Sequence, residues 1–206
     1  MIAVIDYGAG NLASVVNALE RIGVPTVITA DHAVIASADG VIFPGVGAAA
    51  DTMKHVHDLC LESVIQQVIA DGTPFLGICM GMQVLMTMSF EGGEHPCLDV
   101  VSGCVRRLPS DLPVPHMGWN QVWQQTPNPI YEGIPDGAEF YFVHSYYVDP
   151  GDTRWIGATT DYGVDFPSLL LRDNLIATQF HPEKSGRWGL QFLANFAEIV
   201  AAKQRG

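Results

Sequence analysis

The chain has 206 residues, of which 48% are apolar and 16% are charged, and its formal net charge at pH 7 is −12. This length and composition are typical of a globular domain with a sizeable core, and they are too apolar for an intrinsically disordered protein. Because the acidic balance comes without any run of Lys or Arg, it argues against a nucleic-acid-binding surface, which needs a basic footprint.

The N-terminal residues and the cysteines both favour a protein of the reducing cytoplasm. The first residues lack the positive region of a signal peptide and reach Asp6 almost at once. No apolar run is long enough to span a bilayer, so no membrane association is predicted. The four cysteines form no C-x-x-C pair, which argues against a disulfide framework or a zinc site. Three of them are interpreted as small core residues: Cys60, Cys97 and Cys104.

Short apolar runs alternate with helical segments in the first half of the chain. Strands are predicted at Ile2–Ile5, 24–30, 41–43 and 75–78, and helices from Leu12 to the turn at Gly23 and over 48–70. This alternation predicts an α/β fold with a mostly parallel central sheet and flanking helices on both faces. Functional loops in such folds follow the carboxyl ends of strands. Three candidates lie there: residues 6–11, residues 44–47 and Cys79.

The turn after the first strand contains Gly8-Ala9-Gly10, which is part of a dinucleotide-binding fingerprint. Its third glycine is replaced by Ala13, and no acidic residue ends the following strand at 24–30. A tight turn before the first helix is therefore the favoured interpretation, and a nucleotide site is the alternative.

The second half of the chain has a different pattern. After an irregular stretch through 97–107, short runs separated by turns predict antiparallel strands at 116–122, 140–148, 155–159 and 168–171. A last strand at 175–180 precedes His181, and residues 190–201 form an amphipathic helix. No repeat or linker interrupts the chain, so residues 1–206 are predicted to form one domain, with a smaller antiparallel region in its C-terminal half.

The segment Gly77-Ile78-Cys79-Met80-Gly81 has the spacing of a nucleophile elbow. In that motif a buried strand turns sharply into a helix, and the nucleophile occupies the strained apex. Glycines on both sides keep side chains out of the crowded turn. A buried structural cysteine is the alternative interpretation. The two glycines and the strand-then-helix context favour Cys79 as a nucleophile, which needs a base elsewhere in the chain.

A base and a carboxylate follow the last predicted strand. His181 precedes Pro182, which stiffens the turn, and Glu183 lies two residues further on. In a Cys–His–Glu relay the carboxylate holds one imidazole nitrogen while the other nitrogen faces the thiol. By itself His-x-Glu is a weak signal, because a histidine after a strand is often structural. Together with the Cys79 motif it predicts a catalytic triad.

The two motifs, Gly-Ile-Cys-x-Gly-Met-Gln and Gln-Phe-His-Pro-Glu, resemble those of the class I (triad) glutamine amidotransferases. Within that class the chain is similar to the glutaminase subunits of imidazole glycerol phosphate synthase, an enzyme of histidine biosynthesis. The narrower likeness covers essentially the whole chain and rests on further segments at residues 6–12, 44–47, 116–120, 141–146 and 184–185.

The resemblance implies that glutamine is hydrolysed to glutamate and ammonia through a thioester on Cys79. His181 then acts as base and acid, and Glu183 orients it. No metal and no cofactor are implied. The tetrahedral oxyanion needs preorganised backbone N–H donors. The candidates for these donors are Met80, Val46 and Gly47.

By the same resemblance, glutamine is held by the Gln83 side chain and by the backbone of Ser145 and Tyr146. Each of these residues also has a simpler interpretation. Gln83 could lie on a helix surface, and Ser145 and Tyr146 could be ordinary strand residues.

The resemblance also implies a partner, a (β/α)8-barrel cyclase subunit. That subunit binds a phosphoribulosyl-formimino-carboxamide nucleotide and makes imidazole glycerol phosphate and an aminoimidazole carboxamide ribonucleotide. Ammonia is mostly protonated in neutral water, so a partner must collect it before it meets solvent. The expected interface residues surround the triad: Asn11, Trp119, Tyr141 and Lys184. Trp119 is the kind of ring that anchors interfaces, whereas a solvated charge is the alternative for Lys184.

Two other functions stay open from the sequence. A stand-alone γ-glutamyl Cys hydrolase on the same fold would use the same triad on γ-glutamyl peptides, although residues 116–120 argue against it. A non-catalytic subunit is the second alternative, and the intact set of Cys79, His181 and Glu183 argues against it.

Overall fold

Residues 1–8 and 11–205, the part of the chain that the computed structural model describes, form two sheets and six α-helices. The predicted turn at Gly8-Ala9-Gly10 lies partly outside these residues. The strands are β1 Ile2–Ile5, β2 Thr26–Thr29, β3 Gly40–Gly45, β4 Phe75–Cys79, β5 Met86–Ser89, β6 His95–Pro96, β7 Val101–Arg107, β8 His116–Gln124, β9 Ala138–His144, β10 Tyr146–Pro150, β11 Ile156–Asp161, β12 Asp165–Arg172 and β13 Leu175–Thr178. The helices are α1 Leu12–Arg21, α2 His32–Ala36, α3 Ala49–Asp58, α4 Leu61–Ala70, α5 Met80–Gln83 and α6 Gly186–Arg205.

The larger sheet has the strand order β2-β1-β3-β4-β13-β12-β11-β8-β9. Neighbours from β2 to β13 run parallel, and neighbours from β13 to β9 run antiparallel. The predicted α/β fold with a parallel centre is thereby confirmed. The antiparallel strands extend the same sheet, because the chain reverses at Asp173 (φ 53°) and returns beside β12 as β13.

Two apolar clusters lie on opposite faces of this sheet. The central strands β1, β3 and β4 are buried along their whole length, which explains why their sequences are continuous apolar runs. On one face, α1 and α6 contribute Val15, Leu19, Phe192 and Phe196. On the other face, α3 and α4 contribute Val56, Leu61, Ile65 and Val68. The packed sheet holds the carboxyl ends of β3, β4 and β13 side by side.

The single long helix predicted over 48–70 is wrong, because α3 and α4 are separate helices. The last buried residue of α3 is Val56, and the first of α4 is Leu61. In one continuous helix these two side chains would point roughly 140° apart. The chain breaks at Cys60, which adopts left-handed angles (φ 54°, ψ 27°). The break lets both helices bury their apolar side against the same core.

A second sheet, with the order β10-β7-β5-β6, was not expected as a separate unit. The run predicted at 140–148 divides at Ser145 into β9 of the large sheet and β10 of the small one. The stretch through 97–107, predicted to be irregular, contains β7. Alternation along a strand continues across such a division, so the pattern of the sequence does not reveal where the chain changes sheet.

The prediction that three cysteines are core residues is also wrong. Cys60 is exposed, and Cys97 and Cys104 are half-buried. Cys60 occupies the surface junction between α3 and α4. Cys104 lies on β7, where Val101 and Val105 are the buried residues, and Cys97 directly follows β6. Partial burial raises the pKa of the Cys97 thiol to about 11.

Candidate active site

Cys79 occupies a strained apex between β4 and α5. Its backbone angles are φ 54° and ψ −104°, outside the region that a side-chain-bearing residue ordinarily adopts. A Cβ on Gly77 would approach the Gly81 carbonyl oxygen to 2.6 Å, and a Cβ on Gly81 would overlap the Phe43 carbonyl oxygen. Both glycines are therefore required by the close approach of backbone, as the elbow motif predicts. α5 is a single turn rather than an extended helix.

His181 and Glu183 lie on a short 3-10 turn, Pro182–Lys184, after β13. The Nδ1 atom of His181 is 2.8 Å from Glu183 Oε1, and both side chains are almost completely buried. Ser185 holds this turn in place, because its Oγ donates to the His181 carbonyl (2.6 Å) and accepts from the backbone N–H of Tyr141 (2.9 Å). The imidazole is thus oriented by a carboxylate, and the turn is tied to β9.

The thiol and the imidazole face one cavity of about 350 Å³. They meet because β4 and β13 are parallel neighbours, with Ile78 paired to Thr178, so both chains leave the sheet at the same edge. Burial alone would lower the pKa of His181, but the neighbouring Cys79 and Glu183 outweigh burial and raise that pKa to about 9. The imidazolium form is therefore favoured at neutral pH.

The loop after β3 lies directly against the elbow. Gly45 pairs with Cys79, and a Cβ on Gly45 would come within 2.6 Å of the Met80 Cβ. Val46 and Gly47 continue from there into the wall of the cavity, and Gly47 has a positive φ of 97°. Met80 opens α5, so its N–H is among those with no partner within the helix. The predicted oxyanion donors are thus all adjacent to Cys79.

The predicted glutamine-binding residues line the same cavity. Gln83 is 2% exposed, so it is not a helix-surface residue. Its Nε2 donates to the Tyr146 carbonyl (2.9 Å) and to Gln179 Oε1 (3.0 Å). Its Oε1 is buried and has no hydrogen-bond partner among the described residues. Ser145 and Tyr146 lie where the chain passes from β9 to β10, and both line the cavity.

Two residues of the site were missed in the sequence. Gln179 is completely buried, and its Nε2 donates to Cys79 Sγ at 3.6 Å. Glu91 also lines the cavity, where its carboxylate accepts from the backbone N–H of Ala49 (2.7 Å). The position of Gln179 two residues before His181 was an available signal, because such residues in extended chain point the same way. Nothing in the sequence pattern marked Glu91.

A buried pair of histidines connects this site to β8. His116 Nδ1 is 2.9 Å from His144 Nε2, and His144 Nδ1 is 2.9 Å from the Tyr146 carbonyl. Because that carbonyl only accepts, His144 carries its proton on Nδ1 and accepts at Nε2 from His116 Nδ1–H. His116 Nε2 then accepts from Asn120 (3.2 Å). Burial lowers the pKa of His116 to about 4 and that of His144 to about 3, so both rings are neutral.

The free energy of unfolding is expected to fall as the pH drops below about 6.5. The folded-state pKa values of His116 and His144 lie below the value of an unfolded imidazole, so the unfolded chain binds protons that the folded chain does not. Their stabilisation is present above the unfolded pKa and is lost on acidification. By this linkage His144 alone accounts for about 2 kcal/mol at pH 5. Urea denaturation between pH 8 and pH 4.5 measures the effect.

His181 contributes with the opposite sign, because its raised pKa stabilises the fold below pH 6.5 and this stabilisation is lost as the pH rises through about 9. His181 therefore does not add to the loss of unfolding free energy at acidic pH. The variant His144→Gln should flatten the acid-side slope, whereas the exposed His57→Gln should leave it unchanged. An unfolding free energy that is constant between pH 7 and pH 5 would contradict the prediction.

The predicted interface residues surround the triad turn. Trp119 is 54% exposed and packs edge-on against Tyr141, with ring centroids 6.1 Å apart. The Tyr141 carbonyl accepts from the His181 backbone N–H (2.9 Å), and the exposed Lys184 lies on the same turn. Asn11 precedes α1, the helix that lines a groove together with this turn. Trp119, Tyr141 and Lys184 thus lie around the triad turn, and Asn11 lies at the start of the neighbouring α1.

One cavity is lined by a thiol, an imidazole and an amide oxygen without a hydrogen-bond partner, and a carboxylate is bonded behind the imidazole. This combination of groups can carry out nucleophilic acyl transfer. Within residues 1–8 and 11–205, no three His, Cys, Asp or Glu side chains are grouped so as to hold a metal ion. In the same part of the chain, none of the helices combines the length and the apolar character needed to cross a membrane.

Residues 3–200 match the family profile described as "Glutamine amidotransferase class-I". The chain belongs to this family of class I glutamine amidotransferases. Its sequence is 51% identical to the imidazole glycerol phosphate synthase subunit HisH of Dehalococcoides mccartyi, covering 100% of both chains. It is 54% identical to the HisH subunit of Chloroflexus aurantiacus, covering 99% of this chain and 98% of that one.

Solved structures of much lower identity share the fold. A glutamine amidotransferase crystal structure superposes with a TM-score of 0.76 at 19% identity, covering 98% of this chain and 100% of the other. A chain of PurLQS from Thermotoga maritima superposes with a TM-score of 0.74 at 16% identity, covering 97% and 98%. These likenesses extend the common architecture to proteins with little remaining sequence similarity.

Proposed function

We propose that this chain is the glutaminase subunit of imidazole glycerol phosphate synthase, and that it produces ammonia from glutamine at Cys79. The observation that carries the proposal is one cavity lined by Cys79, His181 and Gln83, with Glu183 bonded behind the imidazole. About 50% identity to HisH subunits over the full chain supports the assignment to histidine biosynthesis.

In the proposed reaction the sulfur of Cys79 attacks the side-chain amide carbon of glutamine. The thiol proton passes to His181 and from there to the departing nitrogen, which leaves as ammonia. Water then attacks the γ-glutamyl thioester, with His181 as base, and glutamate is released. Glu183 keeps the imidazole oriented throughout and stabilises its charged form.

The oxyanion of each tetrahedral intermediate is held by backbone N–H groups. Met80 supplies one donor, and the loop after β3 supplies a second from Val46 or Gly47. Each such donor is worth about 3 kcal/mol in the transition state. Gly47, which has a positive φ of 97° here, lacks the Cβ that would restrict the backbone of this loop. We expect the second donor to be aligned fully when the partner is bound.

The substrate carries groups that match the rest of the cavity. Glutamine has an ammonium group, and the carboxylate of Glu91 lines the wall of the cavity. Gln83 offers its unpartnered Oε1 as an acceptor. Tyr146 and Ser145 also line the cavity, at the β9–β10 junction. A bound glutamine would therefore have polar partners at both of its ends.

The ammonia is passed to a (β/α)8-barrel cyclase subunit, which forms a heterodimer with this chain. Trp119, Tyr141 and Lys184 border the triad turn, together with Asn11 before α1, and so form the proposed contact face. A docked partner on this face would receive ammonia before it meets bulk water and becomes protonated. Trp119 is the expected anchor, because a half-exposed aromatic ring buries a large area on binding.

The proposal is tested by measuring glutamate release by the purified chain, first alone, then with the cyclase subunit, and then with the subunit and its nucleotide. We expect low activity alone and an increase at each addition, because the partner aligns the oxyanion loop. Full activity of the isolated chain, unchanged by the partner, would contradict the proposed activation by the partner. Faster hydrolysis of γ-glutamyl peptides than of glutamine would favour the stand-alone hydrolase instead.

A further inference from the structure

Gln179 contacts the nucleophilic sulfur, although the reaction described above gives it no role. It follows β13, has no exposed surface, and donates from Nε2 to Cys79 Sγ at 3.6 Å. A hydrogen bond from an amide to an ionised acceptor is roughly twice as strong as one to a neutral acceptor. A buried donor aimed at this sulfur therefore favours the thiolate over the thiol.

The direction of this hydrogen bond is determined by the neighbouring groups. The Tyr146 carbonyl can only accept, so Gln83 turns its Nε2 toward it. The same Nε2 donates its second hydrogen to Gln179 Oε1. Gln179 consequently presents its NH₂ group to Cys79. If the Gln83 amide were turned round, its oxygen would face the Tyr146 carbonyl oxygen in a buried setting, which is energetically costly.

We infer that Gln179 holds Cys79 as a thiolate before glutamine binds, by donating a hydrogen bond to Sγ. The inference rests on the proposed function, in which Cys79 is the nucleophile. The protons balance within the site: the S–H proton moves to Nε2 of His181, which leaves a thiolate beside an imidazolium. That same proton later passes to the departing amide nitrogen of glutamine.

The groups around Cys79 are consistent with a negative charge on sulfur. His181 lines the same cavity as Cys79, and the Glu183 carboxylate bonded to its Nδ1 (2.8 Å) favours the imidazolium form. The other titratable groups that face this region are His144, which is neutral, Glu91 and Tyr146 in the cavity wall, and Tyr7 beside Gly45. Among these side chains Gln179 is the uncharged donor in contact with sulfur, and it replaces part of the hydration that burial removes.

The test is the pH dependence of Cys79 alkylation by iodoacetamide in the purified chain. Mass spectrometry of the peptide that contains Cys79 separates its reaction from that of the other cysteines, and the thiolate is the reactive form. For Gln179→Met we expect the pH of half-maximal rate to rise by about one unit, which is about a tenfold loss of thiolate below that midpoint. Gln179→Glu, which keeps the shape and adds a negative charge, should raise it further.

The matched control is Asn195→Leu on α6. Asn195 is another buried amide, and it donates to the carbonyls of Ile130 and Glu132 rather than to the active site. Its removal should leave the alkylation midpoint unchanged. Thermal unfolding identifies the Gln179 variants that fold, and either of them decides the question. An unchanged midpoint in a folded Gln179 variant overturns the inference.

This assay does not depend on glutamine turnover, so it separates the inference from the proposed function. Retained glutamine hydrolysis in a Cys79→Ala variant would refute the proposed function. An unshifted alkylation midpoint in Gln179→Met would refute the role of Gln179 even in an active glutaminase. In the complex, Gln179→Met should lower kcat, because the side chain contacts the sulfur. It should also raise KM, because Gln179 Oε1 accepts from Nε2 of Gln83, a proposed glutamine-binding residue.

Discussion

The Cys79→Ala variant is expected to lose glutamine-dependent synthesis by roughly 10⁴-fold or more, because removing a triad nucleophile eliminates the covalent route. Synthesis from added ammonium salts by the same complex should stay intact, since the cyclase then receives ammonia directly. Glutamate release and imidazole glycerol phosphate formation, measured in parallel, check both halves of this prediction.

Cys60→Ala is the matched control, because Cys60 is an exposed cysteine at the α3–α4 junction, remote in sequence from the elbow. It should keep glutamine-dependent synthesis at the wild-type level. If Cys79→Ala lost ammonia-dependent synthesis as well, Cys79 would be needed for the integrity of the complex, and its assigned role as nucleophile would be untenable.

Gly81→Ala is expected to lower the free energy of unfolding by about 3 kcal/mol or more. A Cβ at this position would overlap the Phe43 carbonyl oxygen, and that oxygen belongs to β3 at the centre of the sheet. Neither backbone can retreat without disturbing the packed strands on both sides. Urea denaturation of the purified variant measures the loss.

The control for Gly81→Ala is Gly151→Ala. Gly151 lies after β10, and a Cβ there would meet the Ser102 carbonyl oxygen at 3.5 Å, an ordinary contact distance. Its substitution should change the unfolding free energy by less than about 1 kcal/mol. Equal urea midpoints for Gly81→Ala and the wild type would show that the elbow tolerates a side chain and that the steric account is mistaken.

Local pattern was sufficient for much of the architecture. Continuous apolar runs identified the central strands, because strands buried on both faces carry no polar alternation. The glycines around Cys79 and the short spacing from His181 to Glu183 are constraints within a few residues, so the sequence displays them directly. The structure brings Cys79, His181 and Gln83 together at one edge of the sheet, where β4 and β13 end side by side.

Local sequence pattern failed where the structure depends on the direction in which a helix must face the core, or on the sheet that a strand joins. The helix break at Cys60 follows from the five-residue step between the buried positions Val56 and Leu61. The division at Ser145 follows from the different sheets that β9 and β10 join. Both depend on where the apolar face must point in the assembled core.

Some features of the site were decided by the tertiary structure alone. The contact of Gln179 with Cys79 joins residues 100 positions apart, and the hydrogen bond between His116 and His144 joins residues 28 apart. The sequence by itself determined the strands of the larger sheet and the candidate triad, because both are patterns among residues close together in the sequence. Which buried polar groups meet was set by packing, because a buried donor must find an acceptor wherever the fold brings one.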